Sequence, residues 1–130
     1  MPVKRGYPVK KNILVIDDDP LVREMLVEVL GGEGYEAVAS LNFEDALQKA
    51  RQTLPDLVLI AADQEHLSGF DSCRQIKELF KPHPPLVIVM TGKLNMVDPI
   101  RARRMGADDF AVKTSDMANL IQGVMRVFSL

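Results

Sequence analysis

Short apolar runs alternate with amphipathic stretches along the whole chain. Ile13 to Ile16 is wholly apolar and ends abruptly in Asp17-Asp18-Asp19-Pro20. An unbroken apolar run of this length suits a strand buried on both faces. Asp19 and Pro20 are suited to the cap and first turn of a helix. Leu21, Val22, Met25, Leu26, Val29 and Leu30 then recur at helical spacing, and Gly31, Gly32 and Gly34 stop that helix. The alternation repeats four times. Tyr35 to Ala39 predicts a second strand. Phe43, Ala46, Leu47 and Ala50 predict a second helix capped by Asn42. Leu57 to Ala61 predicts a third strand, introduced by Pro55-Asp56. Phe70, Cys73, Ile76 and Leu79 predict a third helix, broken by Pro82, Pro84 and Pro85. Leu86 to Met90 predicts a fourth strand. Asp98-Pro99 opens a fourth helix carrying Ile100, Arg101 and Met105 and ending at Gly106. Phe110 to Val112 predicts a fifth strand. Asp116 is the expected cap of a last helix with Leu120, Ile121, Val124, Met125 and Phe128 on one side.

Five strands alternating with five helices predict an α/β fold, a parallel sheet with helices on both faces. The 130 residues give room for one domain. Residues 1–10 form a basic lead-in with Lys4, Arg5 and Lys10, and 11–130 form the domain. With 47% hydrophobic and 26% charged residues the chain reads as a soluble globular protein. A net charge of -2 argues against a nucleic-acid footprint. No apolar stretch approaches the roughly 18 residues of a membrane span, and the lead-in lacks the pattern of a signal peptide. A single cysteine, Cys73, excludes an internal disulfide and fits a cytoplasmic location.

In parallel sheets ligands bind beyond the carboxyl ends of the strands, so the strand-end residues carry the functional signal. Asp17, Asp18 and Asp19 follow the first strand. Adjacent carboxylates there suit a hard cation such as Mg2+, or simply water, with Asp19 used as a helix cap. Thr91-Gly92 follows the fourth strand, where a hydroxyl suits an anion or a loop cap. Lys113 follows the fifth, where an ammonium suits a phosphate.

The full set falls in one order: Asp17-Asp18, Pro55-Asp56-Leu57-Val58-Leu59, Gly69, Met90-Thr91-Gly92, and Gly106 through Lys113. In order and spacing it resembles the response-regulator receiver family of two-component phosphorelays, over about Lys11 to Phe128. The resemblance implies a CheY-like, flavodoxin-like doubly wound five-stranded parallel sheet of strand order 2-1-3-4-5. It also implies that the acidic pair Asp17 and Asp18 helps hold Mg2+, that Thr91 and Lys113 contact a phosphoryl group, and that Phe110 is the switch aromatic. The face made by the fourth helix, fifth strand and fifth helix, with Arg101, Arg103 and Arg104, would meet protein partners, another signalling protein or a second copy.

The chain departs from the family at several positions. Counting forward from Pro55-Asp56, and back eight residues from Gly69, puts Ala61 where the family's phosphoacceptor aspartate stands. Alanine supplies no nucleophile for an aspartyl phosphate and removes one metal ligand, so Mg2+ is expected to bind weakly or not at all and no cofactor is required. Asp63 is the candidate substitute, but lies roughly 6.5 Å further along an extended chain. Gln64, Glu65 and Ser68 depart from the family's usual residues. Thr114 replaces the proline that follows the family's lysine. A cis bond there would cost about 2.5–4 kcal/mol, so a trans bond with a shifted loop, or a strained loop, is expected.

The expected function is therefore phosphorylation-independent protein–protein interaction, not enzymatic turnover. The alternatives are phosphorylation on Asp63 or another carboxylate, or a small-anion sensor in the vacated pocket. No nucleophile–base pair, phosphate loop or zinc spacing is present. Cys73 is expected in the core, His66 in an exposed loop, and His83 has no assigned role.

Overall fold

The structure, a computed structural model, describes residues 10–62, 69–92, 99–104 and 106–129. Ten elements alternate along the chain. They are β1 (Asn12–Ile16), α1 (Pro20–Gly32), β2 (Glu36–Ser40), α2 (Phe43–Gln52), β3 (Leu57–Ala61), α3 (Gly69–Leu79), β4 (Leu86–Thr91), α4 (Pro99–Arg104), β5 (Asp109–Val112) and α5 (Ala118–Phe128). The strands pair in parallel in the order β2-β1-β3-β4-β5, as the expected doubly wound topology requires.

The apolar runs are unbroken because both sheet faces are covered. Ile13, Val15, Leu57, Leu59, Ile88 and Met90 face α1 and α5, meeting Leu26, Leu30, Leu120 and Val124. Their strand neighbours Leu14, Ile16, Val58, Ile60, Val87 and Val89 face α2 and α3, meeting Ala46, Ala50, Cys73 and Ile76. Alternate residues of one strand thus feed two cores.

Local signals place the helix ends. Asp19 accepts the Leu21 amide at 2.9 Å, and Asn42 accepts the Asp45 amide at 2.8 Å, each satisfying an otherwise unpaired first-turn donor. Gly34, at φ +93°, lets the chain leave α1 in a conformation that side chains resist. Two boundaries differ from expectation. Tyr35 stands outside β2 because its amide donates to the Leu30 carbonyl at the end of α1, at 3.1 Å. Its ring packs on the first core and lies 5.6 Å from Phe128. Asp116 is not the cap residue of α5. That position belongs to Met117, in the left-handed region at φ 60° with its side chain buried. Asp116 still accepts the Ala118 amide at 3.0 Å, from one residue further out. Met125 is exposed, so the buried stripe of α5 runs through Leu120, Ile121, Val124 and Val127.

One carbonyl of the edge strand β2 is covered by a side chain. Lys49 of α2 donates to the Ala39 carbonyl at 2.6 Å and pairs with Asp45 at 3.0 Å. That ammonium holds the Asp45 carboxyl below the usual carboxylate range, with Ser40 assisting.

Candidate functional site at the carboxyl ends of the strands

Four strands deliver side chains to one end of the sheet. Asp17 follows β1 directly and is 2% exposed. Its amide donates to the Ser40 carbonyl at the end of β2, and its carbonyl accepts from Arg23 Nη1 at 2.8 Å. The backbone is therefore fixed on both sides, and the carboxylate has little freedom. Its Oδ1 accepts the Asp19 amide at 3.0 Å. Its Oδ2 accepts from Lys113 Nζ at 3.1 Å. Asp18, by contrast, is exposed. The acidic pair is divided: one member is buried and engaged, the other faces water.

Ala61 ends β3 and is buried. It lies opposite Met90 of β4, and the following amide, of Ala62, donates to the Met90 carbonyl at 2.7 Å. Thr91 ends β4 and is 2% exposed. Its carbonyl accepts the Lys113 amide at 2.7 Å. Lys113 is thus held twice, through its backbone to β4 and through its ammonium to β1. Thr114 follows it through a trans peptide bond; among the described residues the cis peptide is Lys81–Pro82. The loop turns because Thr114 donates its hydroxyl to Asp116 at 3.0 Å and accepts the Met117 amide on its carbonyl. These contacts, with the Ala118 amide first among them, hold the Asp116 carboxyl below the usual range.

Phe110 of β5 is half-buried against the second core. It also lines a shallow cleft of about 180 Å³ with Asn119, Gln122 and Arg126. Arg126 donates Nε and Nη2 to Asp109 Oδ2 at 2.9 and 2.7 Å, joining α5 to β5. Arg103, Arg104 and Ile100 are exposed on α4; the Arg101 side chain lies outside the described residues. So do Asp63, Gln64, Glu65, His66, Ser68, Asp98 and Met105. His83 is exposed, and Cys73 is fully buried, its thiol pushed up to about 11 by desolvation.

Two residues important to this region carry no sequence signal of their own. Arg23 reads as an ordinary polar position of an amphipathic helix, yet it fixes the Asp17 carbonyl. Asp108 accepts the Val87 amide at 2.8 Å and Lys77 Nζ at 2.7 Å, tying β5's approach to β4 and α3. Its partners are 21 and 31 residues away, beyond the reach of spacing arguments.

The resemblance implies Mg2+ in this pocket, and the described side chains alone do not make a site for it. A hard cation needs several oxygen ligands. Both Asp17 oxygens already accept hydrogen bonds, Ala61 offers a methyl group, and Asp18 is exposed. Among the described residues no three acidic, histidine or cysteine side chains cluster.

Comparison with known proteins agrees with the fold. The response regulator receiver domain family matches residues 13–125. The DNA-binding response regulator MtrA of Mycolicibacterium smegmatis is 33% identical over 115 residues, covering 88% of this chain and 49% of MtrA. The transcriptional regulatory protein PhoP of Bacillus subtilis is 30% identical, covering 79% of this chain and 42% of PhoP. Among solved structures, the Thermotoga maritima response regulator TrrA, in complex with Mg2+ and BeF, superposes with a TM-score of 0.78 at 31% identity, over 90% of this chain and 98% of TrrA. Vibrio cholerae CheY4 superposes with a TM-score of 0.82 over 92% of this chain and 99% of CheY4. At 20% identity that match speaks for the fold alone. The chain belongs to the response regulator receiver family: it is a receiver domain of two-component signalling. It spans about half the length of the curated relatives it matches.

Proposed function

We propose that this receiver is a degenerate one that acts by phosphorylation-independent protein–protein interaction. The observation that carries the reading is the residue at the end of β3. Ala61 stands where the family's acceptor aspartate is expected, buried, with no carboxylate to receive a phosphoryl group. The basic residue that would meet a phosphoryl group, Lys113, is instead paired with Asp17. That pairing weighs against a small-anion sensor, because an incoming anion meets an ammonium already neutralised. The reading assigns the chain no turnover of its own, no required cofactor and a cytoplasmic location. Its partner face is α4–β5–α5, with Arg103, Arg104 and Ile100 exposed on α4 and the Phe110 cleft formed by β5 and α5. The partner is another signalling protein or a second copy, not nucleic acid or a membrane.

The test is incubation with acetyl phosphate, or beryllofluoride, with Mg2+, followed by intact mass and acid-lability measurements. No stoichiometric adduct is expected on the natural chain. Ala61→Asp, which returns a carboxylate to β3, serves as the positive control. A stoichiometric acid-labile phosphate on the natural chain, on Asp63 or elsewhere, refutes the reading.

A further inference from the structure

We propose that Lys113 is a resident counter-ion, doing inside the protein the electrostatic work for which the family's pocket recruits a divalent cation. A carboxylate that is 2% exposed must be paired or hydrogen-bonded to remain charged. Asp17 meets that demand without any ligand. The Asp19 amide satisfies Oδ1 and the Lys113 ammonium satisfies Oδ2. The pair sums to zero charge. A metal entering here would have to displace the ammonium. Among the described side chains it would gain the carboxylates of Asp17 and Asp18, since the Ala61 side chain that ends β3 is a methyl group.

Alanine at 61 is what frees the lysine for this role. A carboxylate at the end of β3, the strand lying between β1 and β4 in the sheet, would compete for the ammonium. A methyl group does not. The pair also has a mechanical consequence. Lys113 is fastened to Thr91 through its amide and to Asp17 through its side chain. The ends of β1, β4 and β5 are therefore tied together across Ala61 in an arrangement that needs neither metal nor phosphate. Lys113 is a positioning residue: it sets the end of the strand that carries Phe110.

This inference goes beyond the phosphorylation-independent reading and does not depend on it, because its readout is metal and proton exchange rather than phosphate. The full chain, labelled with ¹⁵N, is titrated with Mn2+ while amide broadening is followed. On the natural chain the amides of Asp17 to Asp19 and of Lys113 are expected to broaden no more than those near other exposed carboxylates. Lys113→Met is expected to concentrate broadening at Asp17 and tighten the apparent Mn2+ affinity there by roughly tenfold or more, since it deletes a unit charge in contact with the carboxylate. Lys113→Arg keeps the charge and is expected to behave like the natural chain. An equal Mn2+ response in the natural chain and Lys113→Met, strong or absent, overturns the proposal. A second measurement covers the case in which Lys113→Met does not fold. Ammonium protons of Lys113 are expected to exchange slowly in the natural chain and fast in Asp17→Asn; the same exchange rate in both overturns it as well.

Discussion

Removing the Asp108 carboxylate should loosen the link between β5's approach, β4 and α3. In Asp108→Ala the Val87 amide loses its acceptor at 2.8 Å, and Lys77 loses one of its partners at 2.7 Å while keeping the Pro85 carbonyl at 2.8 Å. The two losses differ in weight. Val87 is fully buried, so its orphaned N–H costs about 1–2 kcal/mol. The Lys77 and Asp108 side chains are 21% and 29% exposed, and a partly hydrated pair of this kind contributes about 0.5–1 kcal/mol. The expected destabilisation is roughly 2 kcal/mol, or a fall in Tm of roughly 6–10 °C for a domain of this size. Urea unfolding followed by circular dichroism measures it directly. Asp108→Asn keeps an acceptor for Val87 but not the charge, so it should cost about half as much. A double-mutant cycle with Lys77→Met isolates the ion pair. If Asp108→Ala unfolds within about 0.5 kcal/mol of the natural chain, the carboxylate is not a structural tie and the reasoning fails.

Two further perturbations read other parts of the fold. Gly123 lies within α5, and a Cβ built there meets Arg126, Ile88 and Ala111 at 3.7 to 3.9 Å, ordinary contact distances. Gly123→Ala should therefore stabilise the domain by about 0.5–1 kcal/mol through helix propensity, visible as a higher urea midpoint; a lower midpoint would show the space to be too small. The buried Cys73 thiol holds its proton up to about 11, against an ordinary value of 9.0. Its contribution to stability is thus complete below pH 9 and lost as pH rises toward 11, because only the unfolded chain ionises in that window. Urea midpoints of the natural chain should fall across that range more steeply than those of Cys73→Ala; parallel slopes would place the thiol in water.

The alternation of elements was legible in the sequence because each strand is buried on two faces and each helix on one. Ile13 to Ile16 and Leu57 to Ala61 announce themselves as strands, and Asn42 and Asp19 as caps, through chemistry local to a few residues. The strand order came from the family resemblance, since periodicity alone does not order a parallel sheet. The differences arise where a distant partner decides. Tyr35 is claimed by the Leu30 carbonyl and by the Phe128 ring, not by β1. Met117 takes the cap position because its side chain has a place in the core. In the pocket, Asp17 and Lys113 were each legible as strand-end residues, but not as a pair. They are 96 residues apart, and the acidic triplet gives no sign of which member turns inward.

The Lys49 contact on β2 bears on how the domain behaves in company. An edge strand is an open invitation to another chain, because its outward amides and carbonyls seek partners. β2 is such an edge, and its exposed Val38 would favour the approach. The ammonium of Lys49, resting on the Ala39 carbonyl and anchored by Asp45, puts a charge where a foreign strand would have to lie. A strand adding to this edge would have to displace that ammonium from its carbonyl, a cost that works against edge-to-edge pairing.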